Sequence, residues 1–161
     1  MVEFTMDGRQ GSVPSGSTVL DAAKSLGIEI PTLCHEPDLS IAGACRMCVV
    51  EVEQNKKNLP AACALPIAPG MVIHTNSPAV REARRTILEL IIANHPLDCL
   101  TCEANGKCKL QQYCYDYGVK DTPYRGESRQ YEIDGSNPFI ERDMEKCILC
   151  GKCVRVCGEV Q

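Results

Sequence analysis

Eleven of the twelve cysteines in this 161-residue chain fall into three groups, and that grouping constrains the fold more than any apolar pattern does. The first group is Cys34, Cys45, Cys48 and Cys63. The second is Cys99, Cys102 and Cys108, preceded at short range by His95. The third is Cys147, Cys150, Cys153 and Cys157, spaced C-x2-C-x2-C-x3-C. Soft ligands gathered in fours select iron–sulfur clusters or zinc. Three different spacings predict three different metal sites in series, each stapling a unit too small for a large core.

The rest of the composition narrows the class. Trp is absent and Phe occurs only twice, so aromatic cores are thin. A net charge of −4 argues against nucleic acid as a partner. The first eight residues, Met-Val-Glu-Phe-Thr-Met-Asp-Gly, hold no basic region followed by an apolar one, so no signal peptide is expected. No run of about 18 apolar residues is present to span a membrane directly. The expected location is the reducing cytoplasm, where clustered thiols hold metals more often than disulfides.

Along the chain, residues 2–6 and 9–13 are predicted strands joined at Asp7-Gly8, a hairpin turn signal. Ser17 or Thr18 caps a helix to about Leu26, with Asp21 placed as in a capping box and Gly27 as the stop. A long loop carries Cys34 to Cys48, Val49–Val52 returns to strand, and Met71–Ile73 closes a small mixed sheet. Ser77-Pro78 starts a second helix, with Val80, Ala83, Ile87, Leu90 and Ile91 as its apolar stripe, running to Asn94. His95-Pro96 ends it. A third helix covers about Lys107 to Tyr117 and stops at Gly118. The expected organisation is therefore 1–76, a 2Fe–2S ferredoxin-type domain; 77–118, a domain with a histidine and three cysteines; 119–137, a linker; and 138–161, a partial 4Fe–4S domain. The fold class is α+β.

The first group shares the C-x2-C core of the plant-type 2Fe–2S loop but has a longer first gap. Gly43-Ala44 before Cys45 fits a loop whose N–H groups must approach sulfur. A four-cysteine zinc site or plain core thiols are the alternatives, although zinc sites usually show two C-x2-C knuckles. In the second group a 4Fe–4S cube needs four protein ligands and only three cysteines are near. The imidazole of His95 would fill the vacancy, leaving the site one charge less negative. His35 and His74 have no such cysteine deficit beside them; His35 is expected to bond locally and His74 to be a strand-end surface residue. Cys114 is expected to be a buried, inert thiol.

The third group matches the bacterial ferredoxin run, whose fourth cysteine ligates the other cluster. Cys147, Cys150 and Cys153 would then hold one 4Fe–4S cube, with its fourth ligand outside this stretch. Cys157 would serve a neighbouring cube. Gly158 stands where that run usually has proline.

Taken together, these motifs resemble the N-terminal iron–sulfur region shared by three groups: the catalytic subunit of NAD(P)-dependent formate dehydrogenases, multi-cluster [FeFe]-hydrogenases, and the large iron–sulfur subunit of NADH:quinone oxidoreductase. The resemblance covers essentially the whole chain and implies a β-grasp 2Fe–2S domain, a small helical 4Fe–4S segment and half of a ferredoxin-like domain. Leu110–Val119 and Asn137–Asp143 resemble the formate dehydrogenase branch, and Cys157 departs from the quinone oxidoreductase pattern. That resemblance implies one-electron relay between a molybdenum or tungsten pterin centre, located downstream, and a flavin- and NAD(P)-binding diaphorase-type partner in a multi-subunit complex. No catalytic constellation and no G-x-G-x-x-G occurs in the chain itself. The hydrogenase and quinone oxidoreductase modules are the alternatives within the resemblance, and a zinc-stabilised interaction module is the alternative outside it.

Overall fold

The computed structural model describes residues 1–55, 57–125 and 130–161. They form two compact units, Met1–Arg84 together with Gly151–Gln161, and Arg85–Cys150.

The first unit is built on the expected hairpin. Strands β1 (Val2–Met6) and β2 (Arg9–Val13) pair antiparallel. Asp7 and Gly8, with φ of 48° and 79°, supply the two left-handed residues of a tight turn. β1 alternates strictly, burying Val2, Phe4 and Met6 while Glu3 faces out. Helix α1 (Val19–Ser25) starts at Thr18, whose hydroxyl accepts from Asp21 N, while the Asp21 carboxylate accepts from Thr18 N at 3.0 Å. That capping box ties down two helix-end N–H groups from opposite sides. α1 buries Val19, Leu20, Ala22 and Ala23 in a core shared with Phe4, Met6, Val50 and Ile73.

Two short strands complete the sheet. β3 (Glu51–Val52) is shorter than the expected Val49–Val52, and β4 (Met71–His74) closes the sheet in the order β2-β1-β4-β3. β4 runs parallel to β1 and antiparallel to β3. Asp7 seals the end of this sheet by accepting from Thr75 N at 2.8 Å and from the Thr75 hydroxyl.

Helix α2 (Pro78–Ile92) begins where Ser77 Oγ accepts from Val80 N at 3.3 Å. Its buried row is Val80, Arg84, Leu88 and Ile92, whereas Leu90 is 51% exposed. The expected stripe therefore lies one residue off the true centre. An apolar count passes over Arg84, which occupies a core row because its guanidinium Nη2 donates to Val49 O at 2.8 Å.

In the second unit, helix α3 (Lys109–Asp116) starts later than the expected Lys107, and the expected stop Gly118, with φ of 67°, follows its C-cap Tyr117. The chain turns back there as Val119 N donates to Cys114 O at 2.8 Å. Strands β5 (Asp134–Asn137) and β6 (Ile140–Arg142) form a small hairpin, held by an Arg142–Asp134 ion pair at 2.7 Å. This hairpin crosses the 137/138 boundary at which the expected linker ends. Asp134 and Asn137 form its ladder with no apolar alternation, which is why strand patterning gave no signal there. The part of the expected linker at 126–129 lies outside the described residues. Among the described residues, no helix is long and apolar enough to cross a membrane.

The hairpin generates a direct stability test. Gly11 pairs with Phe4, and a Cβ there would come within 2.6 Å of the buried Phe4 ring and 3.1 Å of Leu26 Cδ2. Gly11→Ala is expected to destabilise the first unit by about 1–3 kcal/mol, the usual cost of overpacking. Urea unfolding followed by circular dichroism measures it.

Candidate metal centres

The first cysteine group is assembled by three segments of the first unit. Cys34 N donates to Cys45 Sγ and Cys45 N donates to Cys34 Sγ, each at 3.4 Å. Each residue's backbone thus solvates the other's sulfur. Gly43 (φ 61°) and Arg46 (φ 60°) put two left-handed residues around Cys45. A left-handed Arg costs on the order of 1–3 kcal/mol and persists only where its surroundings over-determine it. Here the turn is held as Val49 N donates to Arg46 O at 3.3 Å and Arg46 Nη2 donates to Leu59 O at 3.3 Å.

Cys63 is carried by the segment that crosses the start of α1. Val19 N donates to Leu65 O at 2.8 Å, Leu20 N to Ala62 O at 3.1 Å, and Ala62 N to Cys48 O at 2.9 Å. Unpaired helix-start N–H groups thereby fasten the Cys63 segment, and that segment fastens Cys48.

Burial and mutual proximity show in the thiols. Cys34, Cys48 and Cys63 are buried and Cys45 is half-buried. Burial pushes the Cys63 thiol up to about 12, helped by the neighbouring Cys48, Cys34 and Cys45. Burial likewise raises Cys45. Burial also acts to raise Cys34, but Cys45, the Ala44 N–H and Arg155 together outweigh it and leave that thiol below its ordinary value. Four neighbouring sulfurs, with Cys45 and Cys63 resisting negative charge, are a donor set suited to a multivalent iron cluster, whose positive metal ions would offset the thiolate charge.

In the second unit, His95 sits just past α2, its backbone N donating to Ile92 O at 3.2 Å. Its ring Nδ1 lies 2.8 Å from Pro96 O. A carbonyl can only accept, so Nδ1 carries the proton and a neutral ring keeps the Nε2 lone pair for a metal. This backbone bond is the kind that orients metal-ligating histidines. Cys99 and Cys102 follow in a chain of turns, with Thr101 N donating to Asp98 O at 2.9 Å and Cys102 N to Cys99 O at 3.4 Å. Cys108 caps the start of α3, where the helix dipole favours negative charge. Lys146 pairs with Asp98 at 3.6 Å and lies near Cys102.

Cys114 is expected to be buried. It is half-buried, and burial together with Cys99 and Cys108 pushes its thiol up to about 11. His35 is expected to bond locally but lies 3.3 Å from Lys24, eleven residues back, while His74 ends β4 as expected and pairs with Glu53 at 2.9 Å.

The third group is the most open. Cys147, Cys153 and Cys157 are exposed and Cys150 is half-buried. Leu149 (φ 54°) and Gly151 (φ 67°) flank Cys150. Helix α4 (Lys152–Glu159) carries Cys153 and Cys157 one turn apart. Among the described residues, no three His, Cys, Asp or Glu side chains gather as ligands of a single metal ion.

Family profiles match all three regions. Residues 1–78 match a 2Fe-2S iron-sulfur cluster binding domain. Residues 84–123 match the NADH-ubiquinone oxidoreductase-G iron-sulfur binding region, and residues 139–161 match a 4Fe-4S binding domain. The fold resembles a chain in the crystal structure of an NAD+-reducing [NiFe]-hydrogenase in its H2-reduced state, with a TM-score of 0.88 and 38% identity over 99% of this chain and 67% of that one. The chain belongs to the superfamily of N-terminal 2Fe–2S/4Fe–4S regions found in NADH–quinone oxidoreductase-G and in NAD-reducing hydrogenases.

Within this superfamily the chain is 49% identical to the NADP-reducing hydrogenase subunit HndD of Solidesulfovibrio fructosivorans, matching over all of this chain and 28% of that protein. It is 39% identical to the NADH-quinone oxidoreductase-G protein of Rickettsia bellii, over 99% of this chain and 23% of the relative. Identity to the mitochondrial 78 kDa subunit of NADH-ubiquinone oxidoreductase from Neurospora crassa is 42%, over 99% and 22%. The chain thus spans about a quarter of the length of these curated relatives. They favour the hydrogenase and NADH–quinone oxidoreductase branches over the formate dehydrogenase branch expected from Leu110–Val119 and Asn137–Asp143.

Arg84 and Arg155 are the site-supporting residues that motif reading passed over. Arg84 was legible only as a charge at i+4 and i−4 from the apolar Val80 and Leu88. Cys114 yields a test of the ligand boundary. Cys114→Ala is expected to leave the iron content of the second site unchanged, while Cys108→Ala lowers it. Iron and acid-labile sulfide assays on the two variants separate a neighbouring thiol from a ligand.

Proposed function

We propose that this chain is the electron-relay segment of an NAD(P)-linked hydrogenase or NADH:quinone oxidoreductase-type protein. The observation that carries the reading is the enclosed four-thiol set of the first unit, with reciprocal N–H···S bonds between Cys34 and Cys45. Bound iron–sulfur clusters supply one-electron exchange, with plant-type 2Fe–2S centres at about −400 mV, suited to flavin and nicotinamide partners.

The residues have distinct tasks. Cys34, Cys45, Cys48 and Cys63 hold the 2Fe–2S cluster, and the Cys34 and Cys45 amides stabilise added negative charge at sulfur. His95, Cys99, Cys102 and Cys108 hold a 4Fe–4S cluster, with Pro96 O presenting the His95 Nε2 lone pair. Cys147, Cys150 and Cys153 contribute three ligands to a second 4Fe–4S cluster completed from outside this stretch, and Cys157 serves a neighbouring one. The partners are flavin- and NAD(P)-binding subunits of a cytoplasmic complex, and the chemistry on the terminal substrate belongs to parts of the protein beyond the relay. The 49% identity to HndD favours the hydrogenase branch over the formate dehydrogenase one.

Anaerobically isolated protein is expected to be brown, with reduced-state EPR signals of both 2Fe–2S and 4Fe–4S type. Colourless protein with stoichiometric zinc would sink the relay reading. His95→Cys is expected to retain the second cluster with a shifted midpoint potential, whereas His95→Ala loses or weakens it. An unchanged EPR spectrum in the alanine variant removes His95 from the ligand set.

A further inference from the structure

Helix α4 divides its residues between two faces. Cys153, Val154 and Cys157 are exposed, Val154 at 72%. Lys152 and Arg155 are half-buried, and with Glu159 they recur at i, i+3 and i+7, one side of a helix.

That side meets the loop that follows Cys34. Lys152 Nζ pairs with Glu36 Oε2 at 2.9 Å. Arg155 Nη2 donates to Cys34 O at 2.6 Å, and Arg155 Nη1 donates to Ser40 O. Glu159 accepts from Ser40 N at 2.8 Å and from the Ser40 hydroxyl. Three successive side chains thus grip residues 34–40, and Arg155 spans both ends of the loop with one planar fork. Arginine suits this task because its donors are rigid and its charge is permanent.

We propose that Arg155 is a positioning residue for the first iron–sulfur site. From the helix that carries Cys153 and Cys157, it fixes the Cys34 loop and places a positive charge beside Cys34. The inference rests on the relay reading above and adds a residue that is not a ligand. The charge acts on the reduced state. One electron added to the site makes it more negative with no bond formed or broken, and a cation held at the Cys34 carbonyl stabilises that added charge. Lys152 and Glu159 bring opposite charges to Glu36 and Ser40 and largely offset each other, so Arg155 is the α4 charge placed on the ligand residue itself. An exposed ion pair such as Lys152–Glu36 contributes little energy alone. Its role is to hold the register of the helix so that the Arg155 fork reaches both carbonyls.

The test is a dithionite redox titration of the 2Fe–2S EPR signal in the cluster-loaded 161-residue chain. Arg155→Gln is expected to disfavour reduction about tenfold, a shift of about 59 mV to more negative potential for one electron. Arg155→Lys, which keeps the charge, is expected to stay within about threefold of the native protein, whereas a purely structural role would make both variants equally defective. A native midpoint in Arg155→Gln overturns the proposal. Should Arg155→Gln fail to load iron, amide exchange at Ser40 decides instead. Lys152→Glu and Glu36→Lys are each expected to speed that exchange at least tenfold and the double variant to restore it. Native exchange in both single variants overturns the clamp. A native chain that binds no iron overturns the relay reading, and Ser40 exchange then still tests the grip of α4 on the loop.

Discussion

The first candidate metal centre depends on a hydrogen-bond seam between the start of α1 and the segment around Cys63. A helix leaves its first N–H groups without internal partners. Here Val19 N and Leu20 N spend theirs on Leu65 O and Ala62 O, and Ala62 N continues the seam to Cys48 O. Thr18 and Asp21 secure the same helix end from the other side. Two of the four cysteines are therefore registered to a helix whose apolar face is packed in the main core. The fold registers those thiols through ordinary backbone chemistry.

The other half of that centre is arranged differently. Cys34 and Cys45 lie on a loop with little regular structure, and each protects the other's sulfur with its own amide. Left-handed Arg46 marks where the loop accepts backbone strain to bring them together. The three cysteine groups also differ in enclosure. The first is buried, the second is half-buried among short turns and a helix start, and the third is mostly exposed. Enclosure tunes an iron–sulfur site by controlling solvent and hydrogen bonds at sulfur. The sites accordingly differ in surroundings as well as in ligand type.

Much of this was legible in order along the chain. Asp7-Gly8 marked the hairpin turn, Thr18 and Asp21 the capping box, Ser77-Pro78 the start of α2 and Gly118 the end of α3, because each signal acts within a few residues. The α2 stripe was misplaced by one residue because periodicity counts apolar side chains and cannot see that Arg84 finds a buried carbonyl at Val49, thirty-five positions away. The β5–β6 hairpin was missed because Asp134, Gly135, Ser136 and Asn137 carry no alternation; its strands are held by polar side chains and ladder bonds.

The sequence by itself determined which residues are candidate metal ligands, since thiol spacing and the shortage of one cysteine beside His95 are properties of the chain. It also determined the kinds of local element that present them. Tertiary structure decided which backbone groups face those sulfurs and that Arg155 reaches the Cys34 loop. Ligand identity is chemistry carried by single side chains. Their surroundings are pairings between segments as far apart as residues 34 and 155, and no local pattern encodes a partner at that distance.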